Sequence, residues 1–463
     1  MRSTLFSPRR RNVASGGRLS ACGILLALVA PHAAAQLRLP PLPPLPPTPP
    51  TRLPLPDLEA TKRRAVDTLK PLEQLDLRGR LIEELLRHRD RIDADPNKQP
   101  VVRGQVVAYS PGAAALAAAR AAGFTVARQL VLSGLDATVI VLQAPDGVGT
   151  VSAVQQLRAL DPSGTYDFNH LYTGGGALQP EDAGTSKRPA RPAGAAPTSD
   201  TAGPRVGLID AGFDAAHPAL RTADVQRHGC DGASMPTAHG TAVASLLVGR
   251  ATGFSGAAPA ATLYAADVYC GALTGGAVDA LVEALDWMAR QRVPVVNISL
   301  VGPSNTTLAR VVAALLARGH IVVAAVGNDG PAAPPLYPAS YPGVVGVTAV
   351  DARDRVLPEA ARGPQVAFAA PGADLAVAAN GTEGYAPARG TSFAAPIVAG
   401  LLASTGVRGE AAVAQLARAA VDLGPPGRDP IYGYGLVGAQ VRVSPDQLTT
   451  AKPVLSRADS VVR

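Results

Sequence analysis

The stretch Val206-Gly207-Leu208-Ile209-Asp210-Ala211-Gly212 is a short apolar run closed by an acid and a glycine. Four similar runs follow at 263–268, 293–298, 321–326 and 344–350, separated by Ala-rich stretches of helical period. Strands that are apolar at consecutive positions sit in a sheet covered on both faces, and strands alternating with helices favour parallel pairing. Residues 205–441 therefore read as one α/β domain, a mostly parallel sheet with helices on both faces.

Downstream of that first strand lie His239-Gly240-Thr241-Ala242-Val243-Ala244-Ser245 and Gly390-Thr391-Ser392-Phe393-Ala394-Ala395-Pro396. Each has an ordinary reading alone: Asp210 as a turn residue, His239 as a helix cap, Ser392 as a helix N-cap. Together they offer an orienting acid, a base and a nucleophile. A serine hydroxyl is a weak nucleophile until a base accepts its proton, and a carboxylate must hold that base in one tautomer. The order Asp, His, Ser with these neighbours, and with His217-Pro218 after the acid, resembles the subtilisin-like serine peptidases. The resemblance implies a subtilisin-like α/β fold and an endopeptidase working through an acyl-enzyme. It assigns the catalytic roles to Asp210, His239 and Ser392.

Asn328, which closes Ala324-Ala325-Val326-Gly327-Asn328, matches the family's oxyanion residue, with the Ser392 backbone N–H as second donor. Such a donor contributes roughly 3 kcal/mol, a figure that comes from subtilisin itself; a turn asparagine is the plain alternative. Ser299-Leu300-Val301-Gly302-Pro303 matches the segment that pairs with an extended substrate as an added strand. Val301 stands where the family usually has glycine, and Leu336 near where many members keep a small residue. A pocket for a small or medium side chain is expected before the scissile bond. Asp329, near its mouth, offers the alternative of attracting a basic side chain.

Ahead of this domain, residues 101–172 show strand, helix, strand, strand, helix and strand patterns at 105–109, 111–122, 124–132, 137–143, 151–160 and 165–169. That βαββαβ order gives a split βαβ sandwich, a small α+β module. Its place just before a subtilisin-like domain is similar to that of the family's propeptide, which assists folding and then plugs the active site. Residues 58–100 have apolar positions at helical spacing, interrupted by Pro71 and Gly79, and are expected to form short helices. Residues 173–204 hold almost nothing that packs and read as a disordered linker, in or near which a self-maturing protease is cut. Residues 442–463 read as a loose tail.

Residues 1–35 combine a basic leader, a short apolar run at 21–30 and Ala33-Ala34-Ala35, the pattern of an export signal. The run is too short to span a membrane, so no transmembrane segment is expected after signal removal. The expected location is exported, periplasmic or secreted. Residues 36–57 repeat Pro-Pro-Leu and read as a stiff spacer. Losing the leader removes Cys22 and leaves Cys230 and Cys270. An isolated pair in an oxidising compartment usually bonds; two free buried thiols are the alternative.

Composition mainly excludes. Of 463 residues 47% are hydrophobic and 4% aromatic, so the core is built from Ala, Val and Leu. The net charge of +7 lies largely in the first hundred residues without aromatic interleaving, which argues against nucleic acid. The loop at 247–255 has no carboxylate or asparagine, so the family's usual first calcium site is not expected, and no metal or cofactor is called for. The expected partners are polypeptide substrates and the chain's own N-terminal domain, acting as inhibitor of a monomeric zymogen. A competing reading is a non-catalytic or permanently inhibited member whose N-terminal region is a binding module. The four intact groups argue against it.

Overall fold

A computed structural model of the chain describes residues 77–174, 177–178, 203–233 and 235–449, all within the compact unit Leu58–Arg463. The readings of an export signal, a proline-rich spacer, the first part of the helical segment, most of the linker and most of the tail lie outside the described residues.

The N-terminal layer runs α1 (Leu77–Arg87), β1 (Ile92–Ala94), β2 (Pro100–Tyr109), α2 (Ala113–Ala121), β3 (Thr125–Leu132), β4 (Ala137–Gln143), α3 (Thr150–Leu160) and β5 (Thr165–His170). β2 is the hub of an antiparallel sheet: β4 and β5 pair with it, β3 lies outside β4, and β1 joins its first residues. Alternation with period two explains why this sheet is covered twice. Val106, Ala108, Ile140 and Leu142 pack with Ala119, Ala153 and Leu157 of the two helices. Val107, Leu130, Leu132 and Val139 point the other way, into the core of the larger layer.

Two expectations fail at the start of this layer. Gly79 lies inside α1 instead of breaking it, and the segment read as helical becomes a strand at Ile92–Ala94. Asp95 turns the chain by accepting the Asn97 and Gln99 N–H groups, and the returning Val102 pairs with Ile92.

The chain continues through β6 (Thr173–Gly174) and β7 (Ala177–Leu178) to β8 (Arg205–Asp210), β9 (Val225–His228) and α4 (Ala238–Val248). A small hairpin of β10 (Arg250–Ala251) and β11 (Phe254–Ser255) precedes β12 (Thr262–Asp267), α5 (Val278–Arg290), β13 (Val295–Ile298), β14 (Leu300–Val301) and α6 (Thr306–Ala317). Then come β15 (Ile321–Ala325), β16 (Val345–Val350), β17 (Val366–Pro371), β18 (Leu375–Ala378), β19 (Tyr385–Arg389), α7 (Thr391–Ser404), α8 (Gly409–Ala419) and α9 (Pro445–Thr449).

Seven parallel strands form the main sheet in the order β17-β16-β15-β13-β8-β12-β9. Leu208, Val323 and Val347 pack into one core with α4 and α7, while Ile209, Val322 and Ala324 pack into another with α5 and α6. Both faces are buried, which is why the runs are apolar at every position. The strand order reverses at β8, and such a switch point opens a crevice at the carboxyl ends of the strands. Asp210 ends β8 there, level with Asp267 on β12.

Polar contacts fasten the two layers. Asp167 Oδ2 accepts the Thr306 N–H (2.6 Å) and hydroxyl (2.8 Å) at the start of α6. Asn169 Oδ1 accepts the Asp279 N–H at the start of α5 (3.2 Å), and Arg128 pairs with Asp279 and Glu283. These acceptors meet N–H groups that a helix leaves unpaired at its first turn.

The linker and tail readings change at their edges. β6 and β7 belong to the stretch read as linker, and α9 to the stretch read as tail, where the Val443 carbonyl accepts the Ala376 N–H at 2.7 Å. Strand pairing satisfies backbone groups without apolar side chains, so composition alone does not reveal it. Among the described residues no single helix is long and apolar enough to cross a membrane.

Candidate active site

Asp210 is fully buried, and its Oδ1 accepts the Ala211 N–H at 2.7 Å and lies 2.9 Å from His239 Nδ1. His239 is the second residue of α4, whose first turn is fixed by the Thr237 hydroxyl accepting the Gly240 N–H at 3.0 Å. The ring packs against Phe393, with centroids 5.6 Å apart. A carboxylate at Nδ1 puts the proton there and leaves Nε2 with its lone pair free to accept. Nε2 is shielded from solvent without a hydrogen-bond partner among the described residues.

Ser392 lies in the first turn of α7, and Gly390 before it has φ 137°, a conformation that favours glycine. The Ser392 hydroxyl donates to the Ser299 carbonyl at 3.1 Å, and the Ser299 hydroxyl donates back to the Ser392 carbonyl at 2.9 Å. Asn328 follows β15, and its Oδ1 accepts the Thr391 N–H at 3.1 Å. The Gly327 N–H donates to the Thr391 hydroxyl at 3.2 Å. The amide that ends one strand is thus tied to the helix turn that carries the serine. The positive end of that helix favours negative charge beside it.

Two short strands ahead of β8 pair with segments of this site. On one side β6 pairs antiparallel with β14, Thr173 opposite Val301 and Gly174 opposite Leu300. On the other, β7 pairs with β19, Ala177 opposite Arg389. Gly174 passes so close to His239 that a Cβ on it would lie 3.3 Å from Nε2. Tyr172 anchors the approach. It is fully buried, its hydroxyl donates to the Pro303 carbonyl at 2.6 Å, and its own carbonyl accepts from Tyr269 at 2.8 Å. Its ring fills the space over Gly302, where a Cβ would approach within 2.7 Å.

Ser299, Leu300, Val301 and Gly302 therefore line one bank, under the chain's own strand. Leu336 packs against Gly327, next to Asn328. Asp329 is already engaged: Arg78 of α1 donates to its Oδ2 at 2.8 Å and to Gln99 at 2.7 Å. At the opposite end of α1, Leu85 and Leu86 pack with Leu171 and with Leu273 and Ala277 of the larger layer. The helix is a strap over Leu171 and the strand that follows it. Nothing in the local sequence around Arg78 or Tyr172 distinguished them as groups at the site.

Cys230 and Cys270 are bonded to each other, with Cα atoms 5.1 Å apart. Both sulfurs lie near the Asp267 carbonyl. Asp267 Oδ1 accepts the Tyr269 and Cys270 N–H groups, and burial pushes its carboxyl above the ordinary range. The bond holds the loop before His239 against the end of β12.

The sequence pattern of the subtilase family, Peptidase_S8, matches residues 201–435. Subtilisin DY of Bacillus licheniformis is 35% identical over 159 residues, 32% of this chain and 56% of that protein. The minor extracellular protease Epr of Bacillus subtilis is 31% identical over 229 residues, 48% of this chain and 35% of that protein. The chain spans about half, or less, of the length of these relatives. Among solved structures, fervidolysin from Fervidobacterium pennivorans, described as a keratinolytic enzyme related to subtilisin, is similar with a TM-score of 0.59. That likeness covers 76% of this chain and 62% of the other at 19% identity, and concerns the fold.

Proposed function

The chain belongs to the subtilase family, and from that premise we propose that it is an exported serine endopeptidase, made as a zymogen, whose first substrate is its own segment at 173–178. The observation that carries this reading is the placement of that segment. It is strand-paired on both sides of Ser392 and passes against His239.

In this mechanism the Ser392 hydroxyl turns from Ser299 to His239, whose Nε2 takes its proton as Oγ attacks the peptide carbonyl carbon. Asp210 holds the imidazolium that results. The oxyanion forms between the Asn328 amide and the Ser392 N–H. Nε2 then returns the proton to the departing amine, the C–N bond breaks, and Ser392 keeps the acyl group. Water repeats the two proton transfers and releases the acid. The Ser392 hydroxyl's bond to the Ser299 carbonyl and the pairing of residues 173–174 and 177–178 with β14 and β19 support the reading of an uncut precursor. The bonded cysteines support an oxidising compartment and hence export. The N-terminal domain, with Arg78 on Asp329 and Tyr172 on Gly302, acts as the inhibitor.

Gly174 pairs with Leu300, one residue after Ser299, and Ala177 with Arg389, three before Ser392, so the Gly175–Gly176 bond is the cut this reading expects. Sequencing the N-terminus of the matured protein checks this. A start at Gly176 is expected, with Gly175 or Ala177 marking a one-residue slip. A start elsewhere, or a chain that stays whole, contradicts the self-cleaving reading and favours a permanently inhibited binding module.

The base sets the pH dependence. Burial alone lowers the His239 pKa, but the charge of Asp210 and its hydrogen bond outweigh that and raise it above the ordinary value of 6.5. The protonated ring is the form that cannot act, so self-cleavage should fall as pH drops through a midpoint above about 6.5. Asp210→Asn removes the raising charge and should lower both the midpoint and the rate. A midpoint unchanged by that substitution would contradict the assignment.

A further inference from the structure

We propose that Glu359 and Arg389 are positioning residues for the oxyanion site. The proposal rests on the reading of Ser392 and Asn328 above. Glu359 is 2% exposed, in a segment otherwise packed by Leu357, Ala360 and Ala361. Its two carboxylate oxygens meet Arg389 side-on, at 2.7 Å from Nε and 2.9 Å from the terminal nitrogen.

Stability is a weak reason for such a pair. Taking both charges out of water costs about what their attraction returns, and apolar residues of like volume often serve as well. Its location supplies a better one. The two oxyanion donors sit on separate segments, Asn328 after β15 and the Ser392 N–H in α7. Around the first, the Glu359 carbonyl accepts the Gly330 N–H at 2.9 Å, and the Ala361 N–H donates to the Gly327 carbonyl at 3.0 Å. These two bonds bracket Asn328 and Asp329. Arg389, in turn, immediately precedes Gly390 at the start of the serine's helix and is the last residue of β19, opposite Ala177.

One carboxylate therefore joins the loop that holds the amide to the strand that delivers the serine. It adds a second tie, away from the Asn328–Thr391 bond. A guanidinium held by two oxygens fixes angle as well as distance, which an ammonium does not. Donors to an oxyanion work within a few tenths of an ångström, and a displacement of about 1 Å costs about a hundredfold in rate.

The test follows self-cleavage of the full chain, held in acid where His239 is protonated and then raised to neutral pH. Residues 173–174 and 177–178 already pair with β14 and β19, so the first-order rate carries no substrate-binding contribution. The Glu359→Leu/Arg389→Met double variant replaces the pair by apolar groups of similar size. It is expected to keep the wild-type melting temperature within a few degrees while cutting about 10- to 100-fold more slowly, with the pH midpoint unmoved. Arg389→Lys keeps the charge but loses the fork, and is expected to be slow as well. A folded double variant that cuts at the wild-type rate overturns the proposal. Should the double variant not fold, a wild-type rate in Arg389→Lys overturns it. A wild-type chain that does not cut itself defeats the underlying reading, and this proposal with it.

Discussion

Ser392→Ala is expected to leave the full chain in one piece at neutral pH, with β6 and β7 still joined, under conditions where the wild type separates them completely. In the proposed mechanism the hydroxyl forms the acyl bond, so its loss removes the covalent step. His239→Ala leaves the hydroxyl without a base and should slow cleavage by about 10⁶, because base and nucleophile act as a unit; the figure is the one known for subtilisin. The alanine at 392 costs little structurally. Ser392 lies in a helix turn whose neighbours Phe393 and Ala394 are fully buried, and a hydroxyl hydrogen bond such as the one to Ser299 contributes about 1 kcal/mol. Mass spectrometry and a melting curve on the same sample check both halves. A cut Ser392→Ala chain would mean that another protease, or another nucleophile, does the work.

Asn328→Ala is expected to slow the cut by about 10²–10³, the size of the effect that removing the equivalent donor has in subtilisin. Part of any stability loss has a separate origin, because the Thr391 N–H would lose the acceptor it has in Asn328 Oδ1. An unpartnered buried donor costs about 1–3 kcal/mol. Asn328→Asp separates the two effects. It keeps an oxygen for Thr391 but puts a negative charge where the oxyanion forms, so it should fold better than the alanine variant and cut no faster. Asn328→Ala touches neither Asp210 nor His239, so its pH midpoint should stay put, whereas the added charge of Asn328→Asp should raise it. If Asn328→Asp cut at the wild-type rate, the amide would not be a donor.

Much of this architecture was legible because its causes are local. A parallel strand buried on both faces has to be apolar throughout, as Val206 to Ile209 are, and the groups at its end are read directly from the next residues. Asp210, His239 and Ser392 each open or close an element, so motif and geometry coincide. β9 was not legible: Val-Gln-Arg-His has no run, and it is a strand because β12 offers it a parallel edge. Nor were β6 and β7, where Thr173-Gly174 and Ala177-Leu178 are too short to show a pattern and lie in register on β14 and β19. The Arg78–Asp329 and Glu359–Arg389 pairs join residues far apart in the chain, and no local pattern says which charge meets which. Asp329 shows the difference: its place beside Asn328 could be read, while its occupant could not. The cysteines stood between these cases, since on the expectation of a removed leader only one intramolecular pairing is left.

The most direct test of the central claim is covalent labelling of the purified protein by a fluorophosphonate after its N-terminal region has been removed. The account predicts one adduct per chain, located by peptide mapping on Ser392, formed faster as pH rises through the His239 midpoint and absent in Ser392→Ala. A protein cleared of residues before 176, folded and still unlabelled at neutral pH, would contradict it.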